Sequence, residues 1–393
     1  MKGTVLSVGF IPLLDAAPLI VAQEMGFAAE EGITLDLVRA PSWSSLRDML
    51  SFGRVDAAHM LSPMPVAAAL GLGGTQAPLA AVSVLSINGT VIGVSNALAE
   101  RLRDGGHDFA FNDARAAGTA LIKAAVPTLR IGVPFPFSMH AELLYYWLSA
   151  LGLPAPQNVD IRTVPPSLMA QAIEAGEIDA FCVGEPWGSI AVENGVGSLL
   201  LPGAAIWAFA PEKVLAVRSD WADAEPALLG RLIRAVWRAG RWLGDSSSNT
   251  LAAELLSRPT YLNLPAEILD RSLNGSLVIS ARGDQRDTPG FIEFHAGAAS
   301  FPWRSQAQWI GLQLALRTGL DRVASVNTAE GVFRSNLHRN ALRQTSAELP
   351  AASSKVEGAL GARTTLPAES GRITLSRDVF FDGRVFDPSQ IER

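Results

Sequence analysis

The chain has little of what marks several common classes of protein. Its one cysteine, Cys182, excludes a framework of disulfide bonds, and the apolar run around it predicts a buried structural thiol. The five histidines show no metal-ligand spacing, so we predict no metal site. The glycine-rich stretch 71–74 lacks the lysine of a phosphate-binding loop, and no GxSxG motif of a hydrolase occurs. These absences predict a protein that holds no cofactor and is not an enzyme.

Charge and hydropathy exclude two further classes. The 393 residues carry a formal net charge of −6 with scattered basic residues, which argues against direct binding to nucleic acid. No apolar run reaches the roughly 18 residues that a membrane-spanning helix needs. The N-terminus enters a predicted strand at once, without the apolar segment or the cleavage site of a secretory signal. If Met1 is the natural start, we therefore expect a cytoplasmic protein.

The chain contains the same sequence module twice. Residues 42–65 and 167–187 each hold a helix that begins near a serine and ends at a glycine, followed by an Asp-Ala pair, a short apolar run and a proline-bearing loop. The matching landmarks are Gly53 and Gly176, Asp56 and Asp179, and Pro63 and Pro186. Upstream, residues 4–10 and 128–135 predict buried first strands. Each copy is therefore a βαβαβ unit, and two units predict two parallel sheets with ligand-binding loops at the carboxyl ends of their strands.

The repeat predicts an α/β protein of two lobes with a cleft between them. Lobe one is expected over residues 1–93, lobe two over 94–210, and a return to lobe one over 211–345. The remaining segment, 346–393, is rich in Ala, Ser and Gly at its start and is expected to be partly linker.

Lysine is scarce, with four residues against 28 arginines, and one lysine lies where a solvated one is not expected. Lys213 stands between Glu212 and the apolar run VLAV at the predicted second crossover, where it can bind a small anion. A local pair with Glu212 or Glu185 is the alternative. His140 begins a predicted helix, where N–H groups and the helix dipole favour an anion. For His140 the alternative is a neutral capping residue.

Two rings follow strands of the first lobe. Trp43 comes after the second strand, where its indole can stack on a planar ligand or pack in the core. His59 lies within the apolar run AAHML, and we expect it to be a core histidine with a hydrogen-bond partner, with a ring that faces the cleft as the alternative.

Polar groups at two predicted loops complete the candidate site. Asn88, Gly89 and Thr90 lie near the predicted hinge, where their donors can reach an anion, and an ordinary turn is the alternative. Gly184 and Glu185 belong to the GEPW loop after the third strand of lobe two. Because a carboxylate repels an anion, we expect Glu185 to orient a donor.

Seven segments, in order along the chain, resemble the nitrate/bicarbonate-binding solute receptors of ABC transporters. They are GFIPLLDAAPLIVAQEMGFAAEEGI, SWSSLRDML, DAAHMLSPMP, LSINGTVI, FCVGEPW, PEKVLAV and FPWRSQAQW. The resemblance implies a two-lobed, hinged periplasmic-binding-protein fold of type II. It also implies nitrate binding by Trp43, Thr90, His140 and Lys213. A glutamine that the family places near the NG motif has no match here, since Thr90 stands in that place.

Together with the missing signal, the resemblance implies a cytoplasmic nitrate/nitrite sensor of the NasS type. Such a sensor would hold an ANTAR-domain antiterminator of the NasT type and release it when the anion binds, and so regulate nitrate assimilation. The alternative is a nitrate- or bicarbonate-binding receptor of an ABC importer. A receptor for another small anion, such as an alkanesulfonate, also stays open. A pyrimidine synthase of this fold would need a cysteine-rich loop, which the single cysteine opposes.

Overall fold

The structure is a computed structural model that describes residues 4–74, 77–124 and 128–391. Two larger sheets and two short hairpins hold its strands. In chain order the strands are β1 (Thr4–Phe10), β2 (Ile33–Arg39), β3 (Ala57–Leu61), β4 (Leu79–Asn88), β5 (Thr90–Ser95), β6 (Arg130–Val133), β7 (Asp160–Thr163), β8 (Ala180–Gly184), β9 (Gly197–Pro202), β10 (Pro211–Arg218), β11 (Ser276–Val278), β12 (Gln285–Asp287), β13 (Ile292–Glu293), β14 (Thr364–Pro367) and β15 (Arg372–Leu375).

Helices cover both sheets and form most of residues 219–345. In chain order they are α1 (Ala17–Glu24), α2 (Phe27–Glu30), α3 (Trp43–Ser51), α4 (Pro63–Ala69), α5 (Asn96–Asp104), α6 (Ala114–Ala124), α7 (Met139–Ala150), α8 (Met169–Glu174), α9 (Trp187–Glu193), α10 (Ser219–Ala224), α11 (Pro226–Leu243), α12 (Asn249–Ser257), α13 (Ala266–Asn274), α14 (Arg304–Thr318), α15 (Arg322–Glu330) and α16 (Ser335–Leu342). Within the described ranges, none combines the length and the apolar character that crossing a membrane requires.

The two sheets have the same parallel centre, as the repeat predicts. The first sheet has the order β13-β4-β10-β3-β1-β2 and the second the order β7-β6-β8-β5-β9. In each, the first strand of a module lies between the second and the third and pairs with both in parallel. An antiparallel strand then borders the third strand, β10 in one sheet and β5 in the other. Each sheet is therefore completed by a strand from beyond its own repeat.

The residues that the two repeats share stabilise each lobe internally. The N–H of Ser7 in β1 donates to Asp56 Oδ2 at 2.9 Å, and the N–H of Arg130 in β6 donates to Asp179 Oδ2 at 3.1 Å. Each aspartate thus ties the beginning of a third strand to the neighbouring first strand. Gly53 and Gly176 have φ values of +68° and +66°, which β-carbon-bearing residues rarely adopt. These two glycines and two aspartates therefore have structural roles.

The chain passes between the lobes at two adjacent places. It leaves the first sheet at Asn88, turns at Gly89 and enters the second sheet as β5, and it returns between β9 and β10. The Asn88 side chain joins the two crossings, since its Nδ2 donates to Ala208 O at 2.9 Å and its Oδ1 accepts from Ala210 N at 3.2 Å. Gly89 has φ of +90° and packs against β13. This pair of crossings is the place where the lobes can hinge.

The end of the chain, residues 346–393, was expected to be partly linker, but its described part is fixed to the body. Lys355 is largely buried and forms an ion pair with the buried carboxylate of Asp378. Phe380 stacks on Trp207, with ring centroids 4.7 Å apart and planes at 24°. A linker composition does not prevent such contacts, because a few buried ionic and aromatic anchors are enough to order a polar segment.

Candidate functional site

A buried lysine lies where the two lobes meet. Lys213 is fully buried, and its Nζ lies 2.7 Å from Asp15 Oδ2 and 2.7 Å from Glu212 Oε1. An ammonium group this deep in a protein requires compensating charge. The alternative interpretation from the sequence, a local pair with Glu212, is therefore present in the structure, and Asp15 adds a second partner from 198 positions away.

A β-bulge brings the side chains of Glu212 and Lys213 to the same place. In a regular strand, neighbouring side chains point to opposite faces. The pairing of β10 with β4 slips between Pro211 and Lys213 and again between Lys213 and Val214. Such an irregularity bends the strand and re-aims side chains. The local distortion therefore lets two consecutive residues form one buried ion pair.

Asp15 belongs to a single turn of 3-10 helix, Leu14–Ala16, that follows the carboxyl end of β1. Its Oδ1 lies 2.8 Å from His59 Nε2, while Oδ2 accepts from Lys213. The N–H of Ile11 points at His59 Nδ1 at 3.5 Å, so Nδ1 is the acceptor and Nε2 carries the proton that Asp15 accepts. His59 is buried and hydrogen-bonded, as a core histidine would be. Its partner, however, is the carboxylate that holds Lys213.

His140 reaches the same cluster from lobe two. It is the second residue of α7, whose N-cap Ser138 accepts from Ala141 N. Its Nδ1 lies 3.3 Å from Glu212 Oε1, but the two groups are not aligned as a hydrogen bond. Neither ring nitrogen has a hydrogen-bond partner in the described part of the chain, although the residue is 1% exposed. A buried imidazole without partners requires an acceptor or a donor that the described residues do not supply.

Trp43 forms the wall between this cluster and the open cleft. It is the first residue of α3, after the N-cap Ser42. Its ring centroid lies 5.5 Å from Lys213 Nζ and 5.6 Å from the ring of His59. Its Nε1 is buried, and no acceptor for it occurs within residues 4–74, 77–124 and 128–391. Trp43 therefore brings a flat apolar face and a free N–H donor to the cluster.

A cleft of about 450 Å³ lies outside Trp43 and receives residues from both lobes. Lys213 and His140 do not line it, and Trp43 is the residue that both the cleft and the polar cluster share. The Nε1 of Trp187 crosses the cleft from lobe two and donates to Pro12 O at 2.9 Å. Its lining residues are Ile11, Pro12, Arg39, Ala40, Pro41, Ser42, Trp43, Ser44, Pro134, Phe135, Thr163, Pro165, Pro166, Ser167 and Trp187.

Of the residues near the hinge that the sequence suggested as anion contacts, Asn88 and Gly89 are hydrogen-bonded within the protein instead. Both polar atoms of the Asn88 side chain are hydrogen-bonded to the second crossing, and Gly89 N donates to Phe291 O at 2.8 Å. Thr90 lies opposite Gly184 in the second sheet, and its Oγ1 sits directly against Gly203, buried and without a partner among the residues described. Asn88 and Gly89 thus form the ordinary turn that the sequence left open. The buried hydroxyl of Thr90 packs against Gly203.

The two residues of the GEPW loop that were predicted as site residues have different roles. A Cβ on Gly184 would lie 3.6 Å from Asp15 Oδ2 and 3.7 Å from His140 Nε2, so the bare backbone of Gly184 borders the cluster. The carboxylate of Glu185 turns away and accepts from Ser189 N at the beginning of α9, with 3.2 Å to each oxygen. Glu185 therefore orients a helix terminus rather than a donor in the cleft.

Burial and mutual charge set the protonation of the cluster. Burial alone would raise the pKa of Asp15, but Lys213 and His59 outweigh it and hold that pKa well below its usual range. Burial alone would lower the pKa of Lys213, but the two carboxylates raise it above its ordinary value. Burial raises the pKa of Glu212 to about 7, because Lys213 offsets it only in part. Burial and then Lys213 lower the pKa of His140 well below its usual value, so its ring is neutral.

Two residues of the cluster were not predicted as site residues. Glu212 was considered only as a local partner of Lys213, and Asp15 was not considered. A signal for Asp15 is present in the sequence, since it is the one charged residue in the run GFIPLLDAAPLIVAQ. A carboxylate placed in so apolar a stretch, directly after a buried first strand, must find a buried partner.

The arrangement can bind a small anion. It offers a buried ammonium, a neutral imidazole and an indole N–H, with two of these three lacking partners inside the described residues. In a site closed to water, charge-assisted hydrogen bonds of this kind are strong. No group of three or more His, Cys, Asp or Glu residues suited to a metal ion occurs in the part of the chain described.

Comparison with known proteins places this geometry in a family. The NMT1-like family model matches residues 2–257. The chain is 32% identical over 400 residues to the nitrate/nitrite binding protein NrtA of Synechococcus elongatus, covering 99% of this chain and 84% of that protein. It is 27% identical over 403 residues to the bicarbonate-binding protein CmpA of the same organism, covering 98% and 84%. It is also 34% identical over 315 residues to the nitrate import ATP-binding protein NrtC of Synechocystis, but it spans only 45% of that longer protein.

A solved structure extends the likeness to the whole fold. The crystal structure of the periplasmic nitrate-binding protein NrtA from Synechocystis superimposes with a TM-score of 0.85 at 26% identity, covering 99% of this chain and 96% of that chain. The two-lobed periplasmic-binding-protein fold predicted from the sequence is thereby confirmed, and so is the predicted family resemblance.

Proposed function

This chain is a member of the NMT1-like family, among its nitrate- and bicarbonate-binding proteins, and we propose that it binds nitrate or nitrite between its two lobes as the receptor of an ABC-type importer. One observation carries the proposal. Two buried N–H-bearing rings without partners in the described residues, Trp43 and His140, flank a buried lysine. Three donor groups and one positive charge suit a planar anion that has three acceptor oxygens and a single negative charge.

Each side chain then has a definite part in binding. Lys213 supplies the positive charge and a donor. His140, held neutral by burial, donates one N–H whichever ring nitrogen carries it. Trp43 donates from Nε1 and gives its flat face to the planar ligand. Thr90 offers a buried hydroxyl from the second sheet. These four are also the residues that the family resemblance implies.

Closure of the lobes explains why such a site can hold a weakly hydrated anion. The hinge is the pair of crossings that Asn88 joins, and Trp187 reaches across the cleft to Pro12. Closing removes water from the anion and from its donors, which strengthens each hydrogen bond. The ligand in turn stabilises the closed form, which is the signal that an importer or another partner can recognise.

The cytoplasmic sensor with an ANTAR-domain partner stays a prediction. The relatives carry names of nitrate and bicarbonate import, and the solved structure is that of a periplasmic protein, so the importer receptor is the better supported function. Mixing the protein with an ANTAR-domain antiterminator distinguishes the two functions. A complex that nitrate dissociates would support the sensor, and the absence of any complex would leave the importer receptor.

The binding proposal is tested by calorimetric titration of nitrate, nitrite, bicarbonate and chloride into wild-type protein and two histidine variants. His140→Leu removes both ring nitrogens at similar volume. Because a hydrogen bond to a charged group contributes about 1.5–3 kcal/mol, nitrate affinity should fall about 10- to 150-fold. The matched control is His107→Leu, a half-buried histidine of the same lobe outside the cleft, which should bind like wild type. Wild-type affinity in His140→Leu, or no binding of any anion to wild type, would contradict the proposal.

A further inference from the structure

The buried cluster holds more acid than base, which is unexpected in a site for an anion. Within ion-pair distance there are two carboxylates, Asp15 and Glu212, and one ammonium, Lys213. His59 and His140 are neutral by burial. With both carboxylates ionised, the site would carry one net negative charge before any ligand entered.

An anion in this space would add a further negative charge beside a carboxylate. Among the described residues, no arginine acts on the pKa of Asp15, Glu212 or His140, so the surroundings add no further fixed positive charge to the cluster. Burial raises the pKa of the Cys182 thiol on β8 well above its usual value, so that thiol is uncharged. Negative charges a few ångströms apart in a dry site do not all stay ionised. One group in the cluster must therefore gain a proton when the anion enters.

Building on the proposed anion binding, we propose that the site takes up one proton together with nitrate or nitrite and that Glu212 carries it. The hydrogen-bond pattern selects Glu212. Both oxygens of Asp15 are occupied, one by His59 and the other by Lys213. Glu212 uses Oε1 for Lys213, whereas its buried Oε2 has no partner in the described chain. With a proton on Oε2, Glu212 would become a further hydrogen-bond donor for the anion.

The charges around Glu212 support the same assignment. Burial raises its pKa to about 7, with Lys213 opposing the shift and Asp15 adding to it. The facing His140 has a pKa far below its usual value and so does not compete for the proton. A bound anion would raise the pKa of Glu212 further. Proton uptake is therefore expected at pH values above about 7, where free Glu212 is ionised, and it should vanish at lower pH, where Glu212 already holds its proton.

The mechanism distinguishes two classes of anion. Nitrate and nitrite carry no proton at neutral pH, so the proton must come from solvent. Bicarbonate carries its own and can donate its hydroxyl to ionised Glu212, so it needs none. Glu212 would thus be the residue through which the site adapts to a proton-free or a proton-bearing ligand.

Titration in buffers of different ionisation enthalpy measures this proton directly. At about pH 8, wild type should take up close to one proton per nitrate, and nitrate affinity should fall up to about tenfold per pH unit between about pH 7 and 9. Bicarbonate at the same pH should show no uptake. Glu212→Gln should bind nitrate without uptake and without this pH dependence. Glu185→Gln makes the same change at a buried glutamate whose pKa is also about 7 but which contacts α9 instead, and it should retain the uptake.

The outcomes separate this inference from the proposed function. If no anion binds to wild type, the anion site itself is refuted. If nitrate binds wild type with no proton uptake at about pH 8, the anion site stands and the role of Glu212 is refuted. Uptake that is lost in Glu185→Gln and kept in Glu212→Gln would also overturn the assignment. Should Glu212→Gln fail to fold, the wild-type uptake at about pH 6 and 8 still decides, since only uptake confined to the higher pH agrees with the inference.

Discussion

Replacing Lys213 by methionine should cost stability as well as binding. Methionine keeps the unbranched apolar stem and removes the charge, so the packing changes little. Asp15 then stays buried with only His59 as partner, whereas Glu212, which also loses Lys213, can take up a proton because burial already raises its pKa to about 7. Removing one member of a buried ion pair costs about 3–5 kcal/mol, because an uncompensated charge is left behind. We expect the free energy of unfolding of Lys213→Met to fall by about that amount.

Replacing Asp15 by Asn in the Lys213→Met protein should restore most of the stability but not nitrate binding. Asn at position 15 can still accept from His59, so Lys213→Met combined with Asp15→Asn should recover most of the lost free energy. Urea denaturation followed by the fluorescence of the nine tryptophans gives the two free energies, and calorimetric titration gives nitrate affinity. Both the single and the double variant should fail to bind nitrate, because Lys213 supplies the positive charge of the site.

The pattern of the two variants tests the reasoning on the ion pair. The single variant should also regain stability as the pH falls, since Asp15 can then take up a proton. A single variant as stable as wild type would show that the Lys213–Asp15 pair contributes nothing. A double variant less stable than the single one would show that the charge on Asp15 is not the source of the cost.

Two further predictions concern Trp43 and Glu185. Trp43→Phe keeps a flat ring but loses the indole N–H donor, so calorimetry should show a nitrate affinity lower by about tenfold. The control is Trp303→Phe. It also removes a buried indole N–H that has no partner among the described residues, but Trp303 does not line the cleft, so nitrate affinity should not change. An equal loss in both would place the effect outside the site. For Glu185, burial raises the folded-state pKa from 4.5 to about 7, so its contribution to stability is full below 4.5 and is lost as the pH rises through about 7. Glu185→Gln should remove up to about 3 kcal/mol of that pH dependence in urea denaturation, and an unchanged slope would refute the shift.

Much of the architecture follows from sequence pattern. The repeated landmarks predicted two βαβαβ units, and the sheets show the same parallel centre twice. Alternation and buried runs are local, so a strand can be recognised from its own residues. The tail was harder, because residues 346–391 are ordered by a few buried anchors such as Phe380, which composition does not reveal.

The candidate site was predictable in part. The scarcity of lysine singled out Lys213, and the helix beginning singled out His140, and both lie in the cluster. Asn88, in contrast, proved to be a clamp between the crossings, because its neighbours come from a segment 120 positions away. A turn motif does not show what will pack against it.

The sequence by itself determined the two lobes, the family and the rare lysine of the site. Only the tertiary structure decided how that lysine is held. Asp15 and Lys213 are 198 positions apart and meet because β1 and β10 both border β3 in the first sheet. Glu212 joins them through a slip in strand pairing that no local periodicity encodes. Local patterns specify elements, whereas the protonation and charge of a buried site depend on which distant groups the topology brings within a few ångströms.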